Sequence, residues 1–200
     1  LFFGIIIVIL FLSFFVPYFY TKNQRIFEYN NLTWQVEKDG DVTFYHTQFG
    51  KNYQGEYRGV HNTFLRNDPR TNNVPVVDMH DLRFYSNIQI TTDKELLECE
   101  KQILVTDALA QMAQGIAFVE TIEFGITDEE LAQESNREYI TCNNIPFATT
   151  IIHVKKGDES RITQSQNLGD CMIVEIASCE DNLLVAEKLI LEVITELNTN

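Results

Sequence analysis

The stretch from Thr92 to Gly115, TDKELLECEKQILVTDALAQMAQG, decides the class of fold. Thr92-Asp93-Lys94-Glu95 has the form of a capping box, in which a small polar side chain and a glutamate satisfy the first free amides of a helix. Leu97, Leu104, Ala108 and Met112 recur at the spacing of one helical stripe, and Gly115 is placed to end it. Period-two patterns flank this helix on both sides. On the N-terminal side Arg83 to Ile90 reads as a strand with Phe84, Ile88 and Ile90 facing one way, as does Tyr57 to Leu65. Before them Leu32, Trp34 and Val36 alternate, Asp39-Gly40 supplies a turn, and Val42, Phe44 and His46 resume the alternation, which predicts a hairpin.

On the C-terminal side Ile116, Phe118, Ile122 and Phe124 predict a strand closed by Gly125. Thr127 and Glu130 are placed to cap a short acidic helix, Asp128 to Glu134, and Glu138 to Cys142 predicts a further strand. Thr149 to Lys155 and Ser160 to Gln166 predict a second hairpin about Lys156-Gly157-Asp158. Cys171 to Ala177 is apolar and β-rich. Ser178 then caps a last helix whose stripe is Leu183, Ala186, Ile190, Val193 and Leu197. Strands, a long helix, strands and a last helix predict an α+β domain of antiparallel strands and hairpins packed with two main helices.

Ahead of this domain lies LFFGIIIVILFLSFFVPYFY, Leu1 to Tyr20, without a formal charge. A helix of about 20 residues at about 1.5 Å each crosses a hydrocarbon core of roughly 30 Å, so the stretch predicts a single transmembrane anchor, with Tyr18, Phe19 and Tyr20 in the interfacial aromatic belt. A cleavable signal peptide would have a shorter apolar core and a small-residue cleavage site, and a pilin-like spine would continue past Pro17 as one amphipathic helix. The expected division is an anchor over residues 1–20, a short linker over 21–25 and one domain over 26–200, which at this length can bury a full core. The membrane is then a partner through residues 1–20.

The net charge is −14 and uneven: Asp93 to Ile140 holds twelve acidic residues against three basic ones, while Thr21 to Thr92 is balanced at eight each. A phosphate backbone needs a basic face, so no nucleic acid partner is expected for the domain, whereas a basic protein partner is compatible with it. Lys22 and Arg25 just after the span favour a cytoplasmic domain under the positive-inside rule. The cysteines argue for the other side. Cys99, Cys142, Cys171 and Cys179 form an even set, as expected for disulfides in an oxidising compartment, against the alternative of four buried thiols. Four cysteines allow three pairings; Cys171 with Cys179 and Cys99 with Cys142 is the first to try, and Cys142 with Cys171 and Cys99 with Cys179 competes with it. Asn31-Leu32-Thr33 is a glycosylation sequon.

The Asn31-Leu32-Thr33-Trp34 hairpin followed by Tyr45-His46-Thr47, the run Phe64-Leu65-Arg66-Asn67-Asp68-Pro69-Arg70 and Ile140-Thr141-Cys142-Asn143-Asn144, behind an N-terminal span, together resemble a group of uncharacterised archaeal single-pass membrane-anchored proteins. The resemblance implies a cell-surface protein without an assigned activity, and it transfers no catalytic residue.

Within Arg66-Asn67-Asp68-Pro69-Arg70, Asp68-Pro69 predicts a turn, and the guanidiniums of Arg66 and Arg70 are candidate ligands for a carboxylate or phosphate. Pairing with the chain's own acids is the structural alternative. Asp78, His80 and Asp81 are candidate metal ligands, with His46, His61 or His153 available to complete a site, and they carry the one enzyme hypothesis, a metal-dependent hydrolase. No HExxH, CxxC pair, phosphate-binding glycine loop or G-x-S-x-G accompanies them, so no cofactor is expected. Ser160, Ser165 and Ser178 fall in hairpin or cap contexts, and Cys142 with His153 is one of many cysteine–histidine pairs a fold could bring together. The sequence therefore favours a membrane-anchored extracytoplasmic domain with an interaction or structural role in the cell envelope, with the metal hydrolase as alternative.

Overall fold

The computed structural model describes residues 11, 13, 15, 25–53, 56–79, 84–116, 119–165 and 171–199. The predicted anchor falls almost wholly outside them, and among the described residues no helix is long and apolar enough to cross a membrane.

The chain first forms an antiparallel meander of β1 (Ile26–Tyr29), β2 (Leu32–Asp39), β3 (Val42–Tyr53) and β4 (Glu56–Leu65), in that order. The β1–β2 turn is Asn30-Asn31 at φ of 52° and 58°, the left-handed pair that a two-residue hairpin demands and that Asn tolerates. The predicted hairpin of β2 and β3 forms with Asp39 opposite Val42, and Gly40 at φ 59° takes the first turn position. Its alternation sends Leu32 and Trp34 inward, and the Trp34 indole donates to the Tyr29 carbonyl at 3.2 Å.

The second sheet contains β5 (Val76–Val77), β6 (Asn87–Thr92), β7 (Thr121–Ile126), β8 (Glu138–Tyr139), β9 (Thr149–Lys156), β10 (Arg161–Gln164) and β11 (Cys171–Ile176). Its order is β5-β10-β11-β9-β6-β7-β8, and every neighbouring pair is parallel except β10 with β11. The expected antiparallel architecture is therefore corrected to one antiparallel sheet and one mixed, mostly parallel sheet. The predicted hairpin of Thr149–Lys155 with Ser160–Gln166 does not form, because β11 inserts between those strands, pairing Cys171 with Ile151 and Glu175 with Arg161. The physical reason is visible in β9: Thr149, Thr150, Ile151 and Ile152 are all buried, as in a strand covered on both faces, not the one-sided burial of a hairpin.

Among the described residues of the domain, three α-helices complete the fold: α1 (Gln102–Gly115), α2 (Glu129–Glu134) and α3 (Asn182–Thr199). The capping box at Thr92 is a further correction. Thr92 ends β6, Asp93 precedes a 3-10 turn over Lys94–Leu96 without capping it, and α1 begins only at Gln102. Its buried stripe is Val105, Leu109, Met112 and Ala113, with Leu104 and Ala108 on the flank. Strand β7 starts later than predicted and contains Gly125, where a Cβ would lie 2.5 Å from Ile140 Cδ1. Phe118 and Arg83 lie outside the described residues.

Helices α1 and α3 pack against each other between the two sheets. One continuous core joins Leu32, Trp34 and Leu65 of the small sheet to Leu109, Leu189 and Val193 of the helices and to Ile90, Val154 and Val174 of the large sheet. The other face of the large sheet has a small separate cluster of Ile140, Ile151 and Cys171, flanked by Cys142, Ile145 and Ile173 and covered by the loop that follows β8.

Two disulfides form, Cys99–Cys179 and Cys142–Cys171, with Cα separations of 5.3 and 5.8 Å. The first-choice pairing of Cys171 with Cys179 is thus corrected in favour of its competitor. Cys171 opens β11 and Cys179 lies beyond its far end, so at about 3.3 Å per residue a straight strand holds the two roughly 20 Å apart, beyond the reach of a disulfide.

Candidate functional site

The large sheet contains a reversal of chain order. From β6 the chain runs outward through β7 to β8, and from β9 it runs the other way to β11, so β6 and β9 are the neighbours at which the direction switches. In open parallel sheets the crevice at the carboxyl ends of such strands is the usual ligand position.

Asp93 follows β6 at this point. Its amide donates to the Val154 carbonyl at 2.9 Å, which extends the ladder and turns the carboxylate toward the loop-covered face. One carboxylate oxygen accepts from His153 Nε2 at 2.7 Å and from the Thr127 hydroxyl at 2.8 Å, and the other accepts from the Lys156 amide at 3.0 Å. Burial pushes the Asp93 pKa up, but hydrogen bonds from His153, Thr127 and the Lys156 amide outweigh it and hold the carboxyl below the ordinary carboxylate range. The side chains of His153 and Asp93 retain 15 % and 17 % exposure, so the pair is reachable from solvent. Because the Asp93 carboxylate accepts, the Nε2 that faces it carries a proton, which turns Nδ1 toward the loop. Nδ1 lies 3.8 Å from Cys142 Sγ, on the disulfide to Cys171. Beside the site Lys94 Nζ reaches Asp128 at 3.4 Å, and Asp128 caps α2 by accepting from the Leu131 amide at 2.8 Å.

The sequence offered the Cys142–His153 pair only as one of many. It missed Asp93, which it assigned to a helix cap, and Thr127, which it assigned to the cap of α2.

A second feature lies on the helix side. A groove of about 890 Å³ runs between the start of α1, β7 and α2, lined by Leu97, Ile103, Phe124 and Leu131, with Glu100 and Asp107 at its edge. Ile103 is 81 % exposed and Phe124 43 %, unusual for large apolar side chains that share one concave surface.

Arg66 and Arg70 are each placed on an aromatic ring of the small sheet. The Arg70 guanidinium lies 4.0 Å over Phe27 of β1 and forks onto Asp68 through Nε at 2.9 Å and Nη2 at 2.6 Å. The Arg66 guanidinium lies 5.5 Å over Phe44 of β3. The loop is anchored by Glu187 of α3, whose carboxylate accepts from the amides of Arg66 at 2.5 Å and Asn67 at 2.9 Å and from Asn67 Nδ2 at 2.7 Å. Glu187 is 2 % exposed, and burial raises its pKa against those hydrogen bonds. The distinctive Arg-Asn-Asp-Pro-Arg run therefore has a structural task, tying the small sheet to α3.

Of the candidate metal ligands, Asp78 follows β5 at φ 53°, while His80 and Asp81 lie outside the described residues. His153 is engaged by Asp93, and His46 bridges Glu37 at 3.2 Å and Asn62 at 3.1 Å on the small sheet. Among the described residues no group of three His, Cys, Asp or Glu side chains is arranged to hold a metal ion. Ser160 and Ser178 both bond Asp181 ahead of α3, which accounts for their hydroxyls.

No family model matches the chain, no curated protein is similar to it and no solved structure shares its fold at a significant level.

Proposed function

We propose that the chain is a single-pass membrane-anchored domain, held outside the cytoplasm by residues 1–20, that docks a basic apolar segment of a partner protein in the α1 groove. The single observation that carries the docking is the shared exposure of Ile103 and Phe124 in that groove. Charge supports the sign of the occupant: Glu100 and Asp107 line the groove against Arg137, within the segment whose acids outnumber its bases by twelve to three. The two disulfides support an oxidising compartment, because such bridges are rare in the cytosol. The uncharged stretch over residues 1–20 supports the anchor.

A fluorescent amphipathic peptide of leucine and lysine, titrated against the full chain in detergent micelles, tests the docking. Binding that weakens with salt and is about tenfold or more weaker in Ile103→Asp is expected. Equal binding by the variant, or equal binding of a leucine–glutamate peptide, removes the groove from the reading.

A further inference from the structure

We propose that Cys142–Cys171 is a redox-active disulfide that oxidises dithiols, with Cys142 as the exchanging sulfur, His153 as its proton acceptor and Asp93 as the residue that positions His153. The proposal is independent of the α1 groove and stands on the row Asp93, His153, Cys142, in which one imidazole touches a carboxylate at 2.7 Å and a disulfide sulfur at 3.8 Å.

The two sulfurs are placed unequally. Cys171 is wholly buried in β11, whereas Cys142 is half-buried on the loop after β8, so an incoming thiolate reaches Cys142. Attack on Cys142 Sγ forms a mixed disulfide, and the electron pair of the broken bond leaves on Cys171, which takes up a proton from solvent. The second thiol of the substrate then attacks its own sulfur in the mixed disulfide and expels Cys142 as a thiolate. The substrate dithiol has lost two electrons and become a disulfide, and the protein disulfide has become a Cys171 thiol and a Cys142 thiolate.

The expelled thiolate lies beside His153 Nδ1, which takes the proton released by the substrate's second thiol and keeps it against the sulfur, while Nε2–H stays on Asp93. A thiolate paired in this way is stabilised, and stabilising the reduced form makes a disulfide a stronger oxidant. The surroundings leave this pairing undisturbed. In register His153 is flanked by Thr91 of β6 and Ile173 of β11, neither of which titrates in this range. On the loop-covered face Lys155 and Arg161 both pair with Glu175, and from the β7–α2 connection Thr127 brings a hydroxyl and Asp128 a carboxylate already paired with Lys94. Cys99–Cys179 lies apart, between the turn that leads into α1 and the entrance of α3.

The test uses the full chain in detergent. In Cys171→Ser, with Cys99–Cys179 intact, the rate of Cys142 alkylation by iodoacetamide is followed against pH at peptide level. The expected midpoint lies at least one unit below the free-cysteine value of about 8.5, and His153→Ala in the same background returns it to within one unit of that value. A midpoint within one unit before His153 is replaced, or one that His153→Ala leaves unmoved, overturns the proposal. Where Cys171→Ser fails to fold, the unaltered chain decides: in glutathione buffers of graded composition Cys142–Cys171 is expected to open at least tenfold earlier in the ratio of reduced to oxidised glutathione than Cys99–Cys179, with glutathione trapped on Cys142. Opening less than tenfold earlier, or later, or adduct on Cys171 alone, overturns it.

Discussion

The two disulfides divide the molecule between two kinds of work. Cys99–Cys179 spans 80 residues and joins the approaches to both long helices, the layer that carries the main core. Cys142–Cys171 spans 29 residues and pins one loop over the thinly covered face of the large sheet. Loop-closure entropy alone favours the first by about 0.9 kcal/mol, roughly 4.5 against 3.6 kcal/mol, a factor of four to five in what each bridge adds to the folding equilibrium constant. The chemical surroundings point the same way, since among the described residues only the second bridge has an imidazole held against it by a carboxylate. A small difference in topology and a larger one in neighbours thus separate a staple from a reactive bond.

The largest effect is expected on breaking the staple. Cys99→Ala with Cys179→Ala should cost about 4 kcal/mol and lower the midpoint of a single cooperative melt, because the cross-link removes entropy from the whole unfolded chain. Cys142→Ala with Cys171→Ala should cost about 3 kcal/mol, and hydrogen exchange should quicken first in residues 140–148, which lean on the small cluster of Ile140, Ile151 and Ile173. If both pairs melt alike and exchange is raised uniformly, the division between staple and local clamp is wrong.

Two carboxylates, Asp93 half-buried and Glu187 buried, sharpen the same contrast through pH. Asp93, on the loop-covered face, has a folded pKa below its ordinary value of 3.8, so its stabilisation is present above about pH 4 and is lost as pH falls through the folded value. Glu187, in the helix layer, has a folded pKa above its ordinary 4.5; the folded state then holds the extra proton, and stability falls as pH rises from 4.5 through the folded value. Asp93→Asn should cost about 1 to 3 kcal/mol at neutral pH and lose the acid-side slope, while Glu187→Gln should remove the slope of opposite sign. Urea melts at pH intervals measure both, and equal slopes for the two variants would contradict the assignment.

Much of the helix layer was legible from spacing. Leu183, Ala186, Ile190 and Val193 do face the core, and the Trp34 hairpin forms where its alternation places it. Spacing could not say which strands become neighbours. Thr149-Thr150-Ile151-Ile152 carried the signal of a central parallel strand in its unbroken burial, yet beside the Lys156-Gly157-Asp158 turn it matched a hairpin equally well. The site was hidden for a related reason. Asp93 ahead of a helix has the local chemistry of a cap, and what claims it instead is His153, 60 residues away. The disulfides were open among three pairings because the direction of β11 decides between them.

The smallest effect is expected in the groove. Ile103 is 81 % exposed on α1, so Ile103→Asp removes almost no buried surface and should change stability by no more than about 0.5 kcal/mol. An aspartate there is helix-tolerated but adds a charge close to Glu100 and Asp107, which should weaken a basic peptide's apolar contact while leaving its long-range attraction intact. The association rate for the leucine–lysine peptide should therefore hold or rise slightly, and the dissociation rate should rise about tenfold or more. The same variant should leave the opening of Cys142–Cys171 by glutathione unchanged, because the groove lies on the helix side of the sheet and the bond on the other. A melt lowered by more than about 1 kcal/mol would mean that Ile103 packs against something in the folded chain. An altered disulfide equilibrium would join the two faces into one site and end the separation of staple from reactive bond.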